Sequence, residues 1–334
     1  MGKGSGMNKV VFFTDLIKLH DAISYFDMKG FAGKKTPVKL HMGEIKNSYY
    51  SPPDFVRAVL DEIKGFGAEP FLHDTTVAYP GLRSTKTGYE KLASMHGFSR
   101  KKIGCDVIID DTGIPVTVEN RVFDVASHLK DATHIVAISH VKGHIQTGMG
   151  GAIKNFGMGG VTRETKKRMH HGSKPVYNKD ACTYCGVCAE VCPFDAIKVS
   201  DNKWSFSNRA CFGCGVCVDA CKNKAIKYID TDLQYLLVLA AYACISEKNV
   251  LYINELRRMA GSCDCDPFPG PIIVPDLGFL VSTDPVAIDK ASLDLVNDVK
   301  ENVFQKETGI DPFKQIKYGE KIGLGSASYQ LIEL

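Results

Sequence analysis

The chain has no apolar run long enough to cross a bilayer. Its longest, Leu236 to Ile245, falls well short of the ~20 residues a spanning helix needs, so no membrane span is expected. It also lacks a charge excess. Lys and Arg number 41 against 38 Asp and Glu, a net +3, which is too little to argue for nucleic acid or a membrane surface. Hydrolytic signatures are missing too. No Ser-His-Asp order, paired-carboxylate motif or H-E-x-x-H is visible, so hydrolysis has no positive support. The glycine-rich stretch matches neither G-x-x-x-x-G-K-[ST] nor G-x-G-x-x-G, because Ile153 and Thr162 stand where the last glycine belongs. A nucleoside triphosphate or an ordinary dinucleotide is therefore not expected. Met1-Gly-Lys-Gly-Ser-Gly-Met7 leads straight into a strand-like run, so no secretory leader is expected. Gly6 also breaks an N-myristoylation pattern, which wants Ser or Thr there.

What the chain has in quantity is cysteine, twelve in 334 residues. Eight fall in two runs, Cys182-Thr-Tyr-Cys185-Gly-Val-Cys188-Ala-Glu-Val-Cys192-Pro193 and Cys211-Phe-Gly-Cys214-Gly-Val-Cys217-Val-Asp-Ala-Cys221. Each is C-x₂-C-x₂-C-x₃-C, the spacing that wraps three thiolates round one face of a cubane cluster and lends the fourth to its neighbour. The stretch resembles a bacterial-type two-cluster ferredoxin. That resemblance implies Cys182, Cys185, Cys188 and Cys221 for one [4Fe–4S] cluster, and Cys211, Cys214, Cys217 and Cys192 for the other. The second run has Lys222 where the family keeps proline, which removes no ligand. Cysteine used this way points to metal and a reducing interior rather than a secreted disulfide framework. The expected location is cytoplasmic, in an anaerobic or low-oxygen cell.

The rest of the chain is long enough to bury a core of its own. Strands are expected at 10–13, 38–42, 71–72, 105–109, 134–138, 250–253 and 271–274. Helices are expected at 15–28, 51–65, 87–96, 232–246 and 284–297, the second capped by Ser51-Pro-Pro-Asp54. Alternating strands and helices argue for an α/β domain with a mostly parallel sheet flanked by helices. A small α+β two-cluster ferredoxin-like module, 173–230, is expected as an insertion in a discontinuous domain of 1–172 and 231–334. Outside the cysteine runs, the phrases Asp74 to Tyr89, His96-Gly-Phe98, Lys142 to Asn155, Cys263-Asp-Cys265 and Ser282 to Asp289 resemble the "domain of unknown function 362" family. Members of that family are described as iron–sulfur proteins, and the label implies no particular reaction.

Three further places carry chemistry. The stretch after the 134–138 strand holds His140, Lys142, His144 and Lys154, the catalytic candidates. Its Gly148, Gly150, Gly151, Lys154 and Asn155 are candidates for an anion or cofactor-phosphate site, flavin included, since glycines let backbone N–H groups approach an anion. Lysines in solvent on a flexible loop are the bland alternative. Asp74, Tyr79 and Arg83 are candidates to border the same cleft. Cys263 and Cys265 can bind an additional metal with His140 or His144, form a redox pair, or simply close a tight loop. Arg163, Lys166, Lys167, Arg168, His170, His171 and Lys174 read as a solvated basic face or as a docking patch for an acidic redox partner. Cys105 and Cys244 read as core residues.

The expected function is an iron–sulfur oxidoreductase relaying single electrons through two [4Fe–4S] clusters to or from a reactive site on the α/β domain. It would have a redox protein partner and a small-molecule substrate, and no nucleic-acid partner. The alternatives are a non-catalytic electron carrier docking a larger redox complex and a metal- or cofactor-handling protein.

Overall fold

The computed structural model describes residues 7–334; residues 1–6, and with them the leader and myristoylation readings, lie outside the described residues. An eight-stranded sheet runs through the centre. In chain order its strands are β1 (Asn8–Phe13), β2 (Lys35–Lys39), β3 (Glu69–Asp74), β4 (Val107–Ile109), β5 (His134–His140), β6 (Asn249–Leu256), β7 (Gly278–Ser282) and β8 (Tyr329–Glu333). Across the sheet the order is β8-β1-β7-β6-β5-β2-β3-β4. Strands β6, β5, β2, β3 and β4 pair parallel, as do β1 and β8. Only β7 is reversed, antiparallel to β1 and β6. This is a mixed α/β fold on a large, mostly parallel sheet flanked by helices.

Strand alternation builds two cores. Val136, Ile138, Leu251 and Ile253 face one side, with Phe55, Val59, Ile63 and Tyr89. Ile135, Ala137, Val250 and Tyr252 face the other, with Phe156, Leu237, Ala240 and Ile288. Successive strand side chains point to opposite faces, so a sheet covered on both sides needs unbroken apolar runs. On the first side, helix α1 (Pro53–Gly65) buries Phe55, Val56, Val59, Leu60 and Ile63, and α2 (Lys86–Met95) is capped by the Thr85 hydroxyl. The second side holds α3 (Ala152–Gly157), α4 (Arg163–Gly172), α5 (Leu233–Ile245) and α6 (Pro285–Val299). Asp232 and Asp284 accept the free N–H groups at the starts of the last two, as N-caps do.

The elements differ from expectation in several places; the 113–126 hairpin, the 163–172 helix and the 329–333 strand lie outside the expected elements. The helix expected over 15–28 is broken into a turn, Leu16–Lys18, and Leu19–Ser24; its buried residues, Leu19, Ala22 and Ile23, supply apolar contact for little more than one turn. Pro52, not Ser51, sits at the N-cap of α1, with no side-chain cap. The Ile272–Val274 strand pairs with Met259–Ala260 outside the main sheet. The reversed β7 is a short, wholly buried apolar run, which periodicity cannot tell from a helix turn. Finally, the glycine stretch after β5 is ordered rather than a flexible loop: a hairpin of Lys142–His144 and Gly148–Gly150, followed by α3.

Residues between α4 and α5 form small elements of their own. Pro175–Tyr177 pairs antiparallel with Ile226–Tyr228, and Ile197–Ser200 with Lys203–Phe206. Ile197, Cys217 and Ile226 make a separate small apolar cluster with Trp204 and Tyr177 packed on it.

Candidate functional site

Parallel strands bring their carboxyl ends to one edge of the sheet, where ligands of open α/β sheets bind. Here Lys39 ends β2, Asp74 ends β3 and His140 ends β5. Lys39 and Asp74 are buried and 2.8 Å apart. Arg83 lies 3.8 Å from both Asp74 and Glu44, and donates to the Tyr79 hydroxyl at 3.1 Å. The Tyr89 hydroxyl donates to Asp74. Burial alone would raise the Asp74 pKa, but Lys39, Arg83 and Lys166 hold it well below the usual carboxylate range. Asp74, Tyr79 and Arg83 therefore do meet at one edge.

The candidates after β5 divide into separate roles. His140 is fully engaged: Nδ1 contacts Asp264 at 2.8 Å and Nε2 the Arg257 carbonyl at 2.6 Å. Lys142 reaches the other Asp264 oxygen at 2.9 Å and donates to the His140 carbonyl. Asn155 holds the strand ends together, accepting from Lys39 at 2.8 Å and donating to the Ile138 carbonyl and the Ser139 hydroxyl. Its amide is spent on the fold. The N–H groups of Ala152 and Ile153, the donors offered by the start of α3, go to the Asp289 carboxylate at 2.7 and 2.9 Å. A Cβ on Gly151 would fall 2.3 Å from that carboxylate, so this glycine makes room for Asp289. Gly148, at φ +72°, has Pro312 and the Ile310 carbonyl 2.7 Å from a would-be Cβ. At Gly150 the stems of Lys154 and Lys142 pass 3.4 and 3.5 Å from where a Cβ would lie. Gly148 and Gly151 thus serve close packing, whereas a Cβ at Gly150 would make only ordinary contact.

The Lys154 side chain has no hydrogen-bond or salt-bridge partner among the described residues. Burial, then Lys142, pushes its pKa down to about 7. In all, Lys39, Arg83, Lys142, Lys154 and Lys166 share this edge with Glu44, Asp74 and Asp264, five basic side chains to three carboxylates. His41 adds a buried ring whose Nδ1 accepts from Gly43 N at 3.0 Å, leaving Nε2 without a partner.

Cys263 and Cys265 sit in the loop between Met259–Ala260 and Ile272–Val274 and are joined as a disulfide. Asp264 between them is the carboxylate gripped by His140 and Lys142. One ring nitrogen of His144 and both sulfurs lie within 4.8 Å of one another. The structure therefore brings His144, and not His140, to the cysteine pair.

The eight remaining cysteines of the two runs line two hollows. One is lined by Cys182, Cys185, Cys188 and Cys221. The other is lined by Cys192, Cys211, Cys214 and Cys217. Backbone N–H groups of Tyr184, Ala196 and Gly213 donate to Cys182, Cys192 and Cys211 Sγ at 3.3 Å. Burial pushes the Cys214 and Cys217 thiols up to about 11 and 12, so positive charge is needed nearby to hold them as thiolates. Phe212, beside Cys211 of the second hollow, meets the hairpin that follows β5. Gln146, in the hairpin beside His144, donates to the Phe212 carbonyl and contacts His170 Nδ1 at 3.4 Å.

The basic stretch is not one solvated face. Lys166 is buried and donates to Thr75 and Thr76, and Arg168 pairs with Asp124 at 2.8 Å. Lys167, Arg168 and His171 are exposed. Cys105 and Cys244 are buried in the two cores. Sequence reasoning missed Lys39, His41, Glu44 and Asp289. A lysine ending an apolar strand was the one available signal, since such a charge is rarely buried unpaired.

The family model described as "Domain of unknown function (DUF362)" matches residues 37–294. No curated protein matches the chain. Solved structures similar to it include two with the following extents. One is a Thermotoga maritima protein, at 13% identity and a TM-score of 0.40, covering 72% of this chain and 50% of its own. The other is the lactate racemase apoprotein of Thermoanaerobacterium thermosaccharolyticum, at 10% identity and 0.37, covering 74% and 50%. The chain spans about half the length of each, and at those scores neither informs the function. No helix among the described residues is long and apolar enough to cross a membrane.

Proposed function

The chain belongs to the DUF362 family, and from that premise we propose that it is an iron–sulfur oxidoreductase. Residues 173–230 are its inserted ferredoxin-like module, and the α/β domain carries the reactive site. The observation that carries this reading is the interleaving of the two cysteine runs. Each hollow takes three cysteines from one run and the fourth from the other, the sharing pattern of two-cluster ferredoxins. Four sulfurs per hollow are a donor set suited to a [4Fe–4S] cluster, which when bound takes up and passes on one electron. The chain's own part is to hold the thiolates, supply N–H···S bonds that tune potential, and set the second hollow against Gln146 and His170. From there the reactive edge begins with His144. Its unpaired Lys154 side chain and excess of basic side chains suit a small anionic substrate, and the exposed Lys167, Arg168 and His171 suit an acidic redox protein partner.

The test is analysis of the anaerobically purified protein. About eight irons and eight sulfides per chain are expected from two cubanes, and Cys214→Ser should lose about half of the reducible signal. A full signal after that change, or a chain free of sulfide, overturns the reading.

A further inference from the structure

We propose that His144, Cys263 and Cys265 form a mononuclear site for a soft divalent metal ion, distinct from the eight cluster cysteines. The inference deepens the relay reading by giving its α/β end a metal centre; it rests on that reading for its role but not for its ligands.

Three donors meet within 4.8 Å, two cysteine sulfurs and an imidazole; once the disulfide is reduced they are two thiolates and a ring nitrogen, the set that zinc and its neighbours prefer. The surroundings are built to hold them. Asp264, between the two cysteines, is fixed by His140 at 2.8 Å and Lys142 at 2.9 Å. A Cβ on Gly143 would fall 2.3 Å from the Gly261 carbonyl, so only glycine lets the His144 strand press against the cysteine loop. The Cys265 N–H donates to Cys263 Sγ at 3.4 Å, as backbone groups do around metal thiolates. His144 Nε2 has no hydrogen-bond partner among the described residues, while Nδ1 meets Thr147 Oγ1 at 3.0 Å and Gln146 N at 3.2 Å. Thr147 spends its own proton on the Met149 carbonyl and so can accept one from Nδ1. That tautomer leaves the Nε2 lone pair for a metal. The Gln146 N–H favours the opposite tautomer, and metal binding at Nε2 selects the first. Three protein ligands leave one position for substrate or water.

The Cys263–Cys265 disulfide must open first. Its S–S bond breaks, each sulfur takes one electron, and the two thiolates formed neutralise a divalent cation. A small dithiol supplies both electrons in vitro and closes to its own disulfide, releasing two protons.

The experiment reduces the intact protein anaerobically with such a dithiol, desalts it, adds zinc ion alone, and desalts again. Zinc, iron and sulfide are then counted, and the zinc K-edge absorption is recorded, to which iron does not contribute. The expected result is about one zinc per chain with iron and sulfide unchanged. Two sulfurs at about 2.3 Å and a nitrogen at about 2.0 Å should surround it. Cys263→Ser and His144→Ala should each weaken zinc retention at least tenfold without loss of iron. Where a cysteine variant fails to fold, zinc protection of two wild-type thiols from alkylation is read instead. No retained zinc, a sulfur-free zinc shell, or equal retention by the variants overturns the site. Sulfide-free protein that still holds zinc on these ligands overturns the relay and leaves the site standing.

Discussion

Asp74→Asn is the substitution whose outcome the structure constrains most tightly. The Asp74 carboxylate sits 2.8 Å from Lys39 and 3.8 Å from Arg83, with side-chain exposures of 3%, 1% and 3%. It also accepts from Thr75 N at 2.9 Å and from Tyr89. An asparagine keeps the shape and removes the charge, leaving Lys39 and Arg83 dry beside Lys166. Breaking one partner out of a buried pair costs about 3–5 kcal/mol, a fifth or more of the roughly 5–15 kcal/mol that holds a domain folded. With a urea slope of roughly 3 kcal/mol/M, the midpoint should fall by about 1–1.7 M. Far-UV circular dichroism reads the α/β domain. The single tryptophan, Trp204, stacks on Tyr177 in the 175–228 segment, so its fluorescence should be far less affected. The sign of the pH dependence follows from a depressed folded pKa. The contribution is complete above the unfolded value near 3.9 and shrinks by about 1.4 kcal/mol per unit as pH falls below it. The double change Lys39→Met with Asp74→Asn should cost less than the sum of the single ones by about 1–3 kcal/mol. A cost under about 1 kcal/mol at pH 7, or a difference undiminished at pH 3, refutes the reasoning.

Two further outcomes follow from the same packing. Gly157→Ala puts a methyl 2.3 Å from the Leu237 carbonyl, where α3 presses on α5. It should destabilise by about 1–3 kcal/mol in denaturant titration despite alanine's better helix propensity; a stabilised variant would show that the two helices can part freely. Lys166 is pushed down to about 7 by burial, with Asp74 pulling the other way. The unfolded chain keeps that proton to about pH 10.4, so wild-type stability should rise between pH 7 and 10 relative to Lys166→Met. A difference independent of pH in chemical denaturation refutes the assignment.

The sheet was legible where strands are buried on both faces. Ile135 to Ile138 cannot alternate with polar residues and still sit under helices on both sides, so a parallel α/β sheet follows from a handful of apolar runs. The reversed β7 was not legible, because direction is set by which neighbour a short strand finds, and Gly278–Ser282 pairs with β1 from the other end of the chain. Nor was the ordered hairpin at 142–150. Its glycines look like flexibility in a sequence, whereas here Gly143 and Gly148 are where backbone comes too close for a side chain.

The candidate site divides along the same line. Residues at fixed short spacing, such as the two cysteine runs and Cys263-Asp-Cys265, announce themselves because one ion or cluster demands several donors from adjacent turns. Residues contributed singly by different strands do not. Lys39, His41 and Glu44 come from one strand end and the turn after it, Asp74 and Arg83 from the next, and nothing in their spacing links them to Lys154. His144 and His140 show the limit most clearly. The two sit four residues apart with equal claims as partners of the cysteine pair, yet the fold gives both nitrogens of His140 to Asp264 and Arg257 and leaves a nitrogen of His144 open. The distinction rests on contacts 117 and 124 residues away in sequence, and motif spacing has no access to those. What spacing identified was the donor type; which donor remains free was decided by the protein's other hydrogen bonds.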